Sequence, residues 1–121
     1  QTCILCEMGA KVFSIERQKE LFIRTKPLIH DMGYTPRLIF GDGYKGMPAF
    51  APFDKIIVTC GAPDVPALLM DQLKVGGIMV IPVGEGKEQI MHRIVKLNET
   101  ECHSEDFGTF KFVPMLERTA R

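Results

Sequence analysis

A chain of 121 residues fits one domain and can bury a single core. Its 15 basic and 15 acidic side chains cancel, so it lacks the electrostatic footprint of a partner for nucleic acid or an anionic membrane. The longest apolar stretch, residues 76–83, is too short to span a bilayer, and four cysteines (Cys3, Cys6, Cys60, Cys102) without disulfide-framework spacing suit a reducing compartment, which points to a cytoplasmic setting.

Residues 1–8 read as a helix already under way, stopped by Gly9. With Gln1 in place of an initiator methionine, residues 1–121 are expected to be the C-terminal portion of a single domain. The apolar, β-branched run 11–15 predicts a strand that stops at Glu16. From Arg17 to Met32, Leu21, Thr25, Leu28, Ile29 and Met32 recur at helical spacing, with Gly33 as the stop and Pro27 expected to kink or shorten the helix. Residues 38–40 predict a second strand, ending at Gly41-Asp42-Gly43, and a loop with two prolines follows. Residues 55–60 predict a third strand, apolar on both faces, as parallel strands are. A helix is expected over 65–74, with Pro66 near its first turn, and a fourth buried strand over 78–83 after the Gly76-Gly77 pair. From Gln89 the pattern alternates with period two, the mark of antiparallel strands, and a last strand is expected over 110–115. The order indicates an α/β fold: a doubly wound, mostly parallel sheet with an antiparallel tail.

In such sheets ligands bind beyond the carboxyl ends of the strands, so the residues that end each strand carry the information. Glu16 ends the first strand, where a carboxylate can accept both hydroxyls of a ribose diol. The same position suits a glutamate that caps the next helix and meets the positive end of its dipole. Asp42 could accept from the exocyclic amine of an adenine, with Gly43 admitting the ring close to the backbone; Asp-Gly is equally a strong turn dipeptide. Occurring together at successive strand ends, Glu16 and Asp42 favour the ligand reading. Cys3 and Cys6 form a C-x-x-C without a second pair, and neither His92 nor Cys102-His103 adds ligand spacing, so no metal site is expected. Cys60 stands at a strand end, with no histidine near it in sequence to activate it as a nucleophile.

Several segments resemble a known family. Lys11-Val12-Phe13-Ser14-Ile15-Glu16-Arg17 and Gly41-Asp42-Gly43 resemble the second- and third-strand motifs of methyltransferases that bind S-adenosyl-L-methionine. Residues 52–63, ending in Cys60-Gly61-Ala62-Pro63, are similar to the fourth-strand segment of the protein-L-isoaspartate O-methyltransferases. Residues 73–84 and Phe112-Val113-Pro114-Met115 resemble that family's fifth-strand and closing segments, with Val75 standing where the family usually has proline. The resemblance implies a Rossmann-like methyltransferase fold whose first strand, at the centre of the sheet, and glycine-rich loop lie outside these residues. It implies Glu16 at the ribose with Arg17 beside it, Asp42 and Gly43 at the adenine, and catalytic residues upstream of Gln1. The implied reaction is methyl transfer from S-adenosylmethionine to the carboxylate of isoaspartyl residues in damaged proteins, with isoaspartyl peptides as partners. Two rivals stay open at this point: a methyltransferase of another substrate class, and a non-catalytic binding module.

Overall fold

The computed structural model describes residues 1–120 as two compact units, one of residues 1–43 with the segment from Glu117 onward, the other Tyr44–Leu116. No helix among the described residues is long and apolar enough to cross a membrane.

In the first unit, helix α1 (Thr2–Glu7) ends where Gly9 takes φ 89°, a conformation glycine adopts without steric cost. Strand β1 (Phe13–Glu16) leads into helix α2 (Lys19–Asp31) and strand β2 (Arg37–Phe40). Helix α2 runs on through Pro27 rather than stopping there. Strands β1 and β2 pair in parallel, Phe13 opposite Arg37 and Glu16 opposite Phe40. Phe22 of α2 packs against Phe40, ring centroids 6.1 Å apart. Of the apolar residues at helical spacing only Ile29 is buried; Leu21, Leu28 and Met32 are about half exposed. Helical spacing located the helix, but among the described residues only Ile29 of the stripe is covered.

In the second unit, strand β3 (Phe53–Ile57), helix α3 (Ala67–Gln72), strand β4 (Leu73–Val83), strand β5 (Gln89–Lys96) and strand β6 (Cys102–Phe110) follow in order. They form one sheet in chain order, β3–β4 parallel and the rest antiparallel. Helix α3 is shorter than the expected 65–74, because Leu73 turns directly to extended backbone, with ψ 132°. Its end is closed by a distant side chain. Lys96 extends its ammonium to the carbonyls of Met70 (2.9 Å) and Leu73 (3.0 Å), which satisfies acceptors that a helix terminus leaves open. Strand β4 therefore starts five residues before the expected Ile78 and carries an irregularity, since Phe53 faces Leu73 while Lys55 faces Ile78. The glycine pair makes this feasible. Gly76 takes φ 85°, and a Cβ on Gly77 would lie 2.7 Å from the Lys74 carbonyl oxygen.

The last strand is a correction. Residues 110–115 do not form it; β6 spans Cys102–Phe110, and residues 113–115 make only a parallel bridge, Pro114 opposite Gly61. Pro114 has no N–H to continue a ladder. The true strand is a largely exposed edge built from Cys102-His103-Ser104-Glu105-Asp106, whose polarity hid it from a reading based on apolar runs.

The core lies on the inward face of β4. Leu73, Met79 and Ile81 are essentially fully buried and pack with Val58, Ala62, Leu69 and Ile94. Truncating such a side chain removes transfer energy and leaves a cavity. In the full-length protein, Ile81→Ala is therefore expected to lower the unfolding free energy by about 2–5 kcal/mol, read from the urea midpoint at unchanged slope.

Candidate functional site

Parallel pairing brings the carboxyl ends of β1 and β2 to one edge. The Gly41 amide donates to the Glu16 carbonyl at 3.0 Å, so Glu16 and the Gly41-Asp42-Gly43 turn leave the sheet side by side. The structure thus brings together Glu16, Asp42 and Gly43, with Arg17 one residue on.

Both carboxylates already hold backbone. Glu16 Oε1 accepts from the Gln18 N–H at 2.9 Å, and Gln18 is the N-cap of α2. The bond braces the turn into α2 but is not a helix cap, since the N-cap of α2 makes no side-chain cap hydrogen bond. A carboxylate offers about four lone-pair sites, so this bond leaves capacity for further donors. Asp42 Oδ2 accepts from the Arg118 N–H at 3.0 Å. Arg17 directs its guanidinium to the same residue, Nε donating to the Arg118 carbonyl at 3.0 Å. The chain then runs alongside the entry to α2. The Ala120 amide donates to the Arg17 carbonyl at 2.8 Å, and the Lys19 amide donates to the Ala120 carbonyl at 2.9 Å. Gly43 opens a single helical turn, Gly43–Lys45.

In the second unit the strand-end residues are also tied down. Ala62 bridges Val83 in parallel, and the Gly84 amide donates to the Ala62 carbonyl at 2.8 Å. Gly61 donates to the Val113 carbonyl at 2.7 Å and accepts from the Met115 amide at 2.9 Å. The side chain of Gln89 crosses beside it, Oε1 accepting from the Phe112 amide at 2.8 Å and Nε2 donating to the Gly86 carbonyl at 3.1 Å. Gln72 makes a similar brace, accepting from the Met47 amide at 2.8 Å and donating to the Lys45 carbonyl at 2.9 Å. It fixes the loop before β3. Sequence reasoning missed Gln72, Gln89 and the 118–120 contacts. A glutamine beside a glycine-rich strand end is a faint signal, and main-chain contacts leave none.

The protein-family comparison matches residues 1–120 to the family described as Protein-L-isoaspartate(D-aspartate) O-methyltransferase (PCMT). The chain is 56% identical over 118 residues to the protein-L-isoaspartate O-methyltransferase of Flavobacterium psychrophilum, covering 97% of this chain and 55% of that protein. Identity to the Christiangramia forsetii protein of the same name is 55%, with the same coverage. The chain thus spans about half the length of these curated relatives. Among solved structures it resembles a Plasmodium falciparum chain described as a protein-L-isoaspartate O-methyltransferase in complex with S-adenosyl-L-homocysteine. The TM-score is 0.76 at 22% identity, covering 94% of this chain and 56% of that one. That likeness establishes the fold as the Rossmann-like one of these methyltransferases.

Burial alters the chemistry of the Cys60 thiol. Desolvation pushes its pKa above the usual thiol value, which favours the neutral form. A raised pKa means less thiolate at a given pH. Alkylation by iodoacetamide at pH 8, followed by peptide mass spectrometry, is therefore expected to modify Cys60 more slowly than the exposed Cys102.

Proposed function

We propose, for a chain that belongs to the protein-L-isoaspartate(D-aspartate) O-methyltransferase family, that the full-length protein transfers a methyl group from S-adenosylmethionine to the carboxylate of isoaspartyl residues in damaged proteins. The observation that carries this reading is the pair of carboxylates, Glu16 and Asp42, at the common edge of β1 and β2. Their chemistry fits the ligand. Glu16 would take the ribose diol and Asp42, with Gly43 beside it, the exocyclic amine of adenine. Arg17 would lie next to the ribose, its guanidinium anchored on the Arg118 carbonyl.

The cofactor supplies an activated methyl group on a sulfonium. A substrate carboxylate is ionised at neutral pH and is already nucleophilic, so the reaction asks for no general base. What remains for the protein is placement of the two reactants, and well-oriented reactions gain roughly 7–11 kcal/mol that way. Burial disfavours the Cys60 thiolate, which fits a pocket-side residue rather than a nucleophile. Four free cysteines and a balanced charge suit a cytoplasmic protein-repair enzyme acting on peptides rather than nucleic acid.

Strand β1 has a ladder partner only in β2, and β3 only in β4, among the described residues. Apolar strands of a parallel sheet are ordinarily paired on both sides. Polypeptide beyond these residues would complete those edges, and the catalytic groups and glycine-rich loop would come with it.

Two experiments test the reading. Full-length protein is expected to label an isoaspartyl peptide with radioactive methyl and to leave the matched aspartyl peptide unlabelled; equal labelling of both would sink the substrate assignment. By calorimetry, Glu16→Ala and Asp42→Ala are each expected to weaken S-adenosylhomocysteine binding by about 1.5–3 kcal/mol, the scale of a hydrogen bond to a charged group. An unchanged affinity in either variant removes the role given to that residue.

A further inference from the structure

Arg118 is the only non-glycine residue with positive φ among those described, at φ 62°. A side chain there brings Cβ against the following carbonyl, and such conformations persist only where surrounding contacts over-determine them. Here they do. The residue's N–H is held by the Asp42 carboxylate at 3.0 Å and its carbonyl by the Arg17 guanidinium at 3.0 Å. Both bonds have one charged partner, the stronger kind. Two residues further on, Ala120 exchanges main-chain hydrogen bonds with Arg17 and Lys19, forming a parallel bridge with Gln18. All of these groups lie within one compact unit.

We infer that the main chain at Arg118 positions the Asp42 carboxylate for recognition of a purine 6-amino group, with Arg17 serving as the anchor that keeps Arg118 in place. This rests on the adenine role proposed for Asp42. The physical reason is rotation. A carboxylate on a turn swings about its terminal torsion, which is broad and roughly two-fold. One donor fixed on Oδ2 sets the plane of the group, and with it the directions in which it accepts from a ligand. An amine that meets an oriented carboxylate does not have to immobilise it on binding. Arg17 acquires a second task, because its guanidinium fixes the element that fixes Asp42. Arg118 acts through its peptide rather than its side chain. This explains why a strained arginine is tolerated there, and it separates two substitutions that a side-chain role would not.

The test uses the full-length protein and two ligands measured by calorimetry: S-adenosylhomocysteine, and S-inosylhomocysteine, which presents an oxygen in place of the 6-amino group. The parent is expected to prefer the adenosyl ligand. Arg118→Pro removes the N–H and forces φ negative. It is expected to weaken the adenosyl ligand by roughly tenfold while leaving the inosyl ligand unchanged, so that the preference collapses. Arg118→Gly keeps both main-chain groups and adopts the same φ without strain, and is expected to restore the preference. If Arg118→Pro does not fold, a chain ending at Leu116 removes the same bond and is read in the same way. Equal weakening of both ligands, tighter adenosyl binding on loss of the bond, or an undiminished preference would each overturn the positioning role while leaving the methyltransferase reading intact. A parent that binds neither ligand overturns that reading, and this inference with it.

Discussion

The arrangement of the candidate site depends on parallel strand pairing. Two strands that run the same way finish at the same edge, so the register of β1 against β2 decides which side chains meet there. With Glu16 opposite Phe40, the first carboxylate lies beside the turn that carries the second. A slip of one residue would turn Glu16 to the other face of the sheet, because side chains alternate along a strand. The second unit obeys the same constraint, with Ile57 of β3 opposite Val80 of β4 and Ala62 bridging Val83 beyond them. In each unit, the residues at strand ends are gathered by a rule of backbone geometry rather than by affinity for one another.

At that edge, structural duties fall on the same side chains for which ligand contacts are proposed. The sequence poses helix capping and ribose binding as alternatives for Glu16, and a turn and adenine binding as alternatives for Asp42. In the structure Glu16 holds the Gln18 amide and Asp42 holds the Arg118 amide. An ionised carboxylate accepts several donors, so a backbone contact and a ligand contact are compatible on one group. An oriented acceptor is also the more useful one, since the ligand need not supply the ordering.

The sequence was most legible where hydrophobic pattern and backbone special cases coincide. Gly9 and Gly33 mark the ends of α1 and α2, and both take positive φ. The β-branched runs before Glu16 and Gly41 mark β1 and β2, and alternation marks β5. Two features escaped for different reasons. Strand β6 is polar and exposed, so nothing apolar repeats along it, and its existence rests on the ladder with β5. The early start of β4 depends on where a helix ends, and Lys96, 23 residues away, supplies the closing contacts at Leu73. Pairwise contacts at that separation are invisible to any local window. The candidate site shows the same division. Glu16 and Asp42 could be read from strand ends, whereas the contacts of Arg118 are made by peptide groups that any residue possesses.

The segment Gly61-Ala62-Pro63 shows what a family signature can mean physically. Gly61 exchanges hydrogen bonds with the residues on either side of Pro114, which pins the closing segment against the end of β3's path. A Cβ on Gly61 would lie 2.7 Å from Cδ of Gln89, the same side chain that accepts from the Phe112 amide. Ala62 is fully buried against the β4 core, where a larger side chain would force the packing apart. Glycine, alanine and the glutamine opposite them are therefore one packing solution. The glycine gives Gln89 room, Gln89 holds Phe112, and Phe112 begins the run that returns to Gly61. None of the three residues has to touch a substrate for the segment to be restricted in sequence. Its specificity as a signature follows from the closure of that loop of contacts, which fixes the backbone of this strand end on both sides.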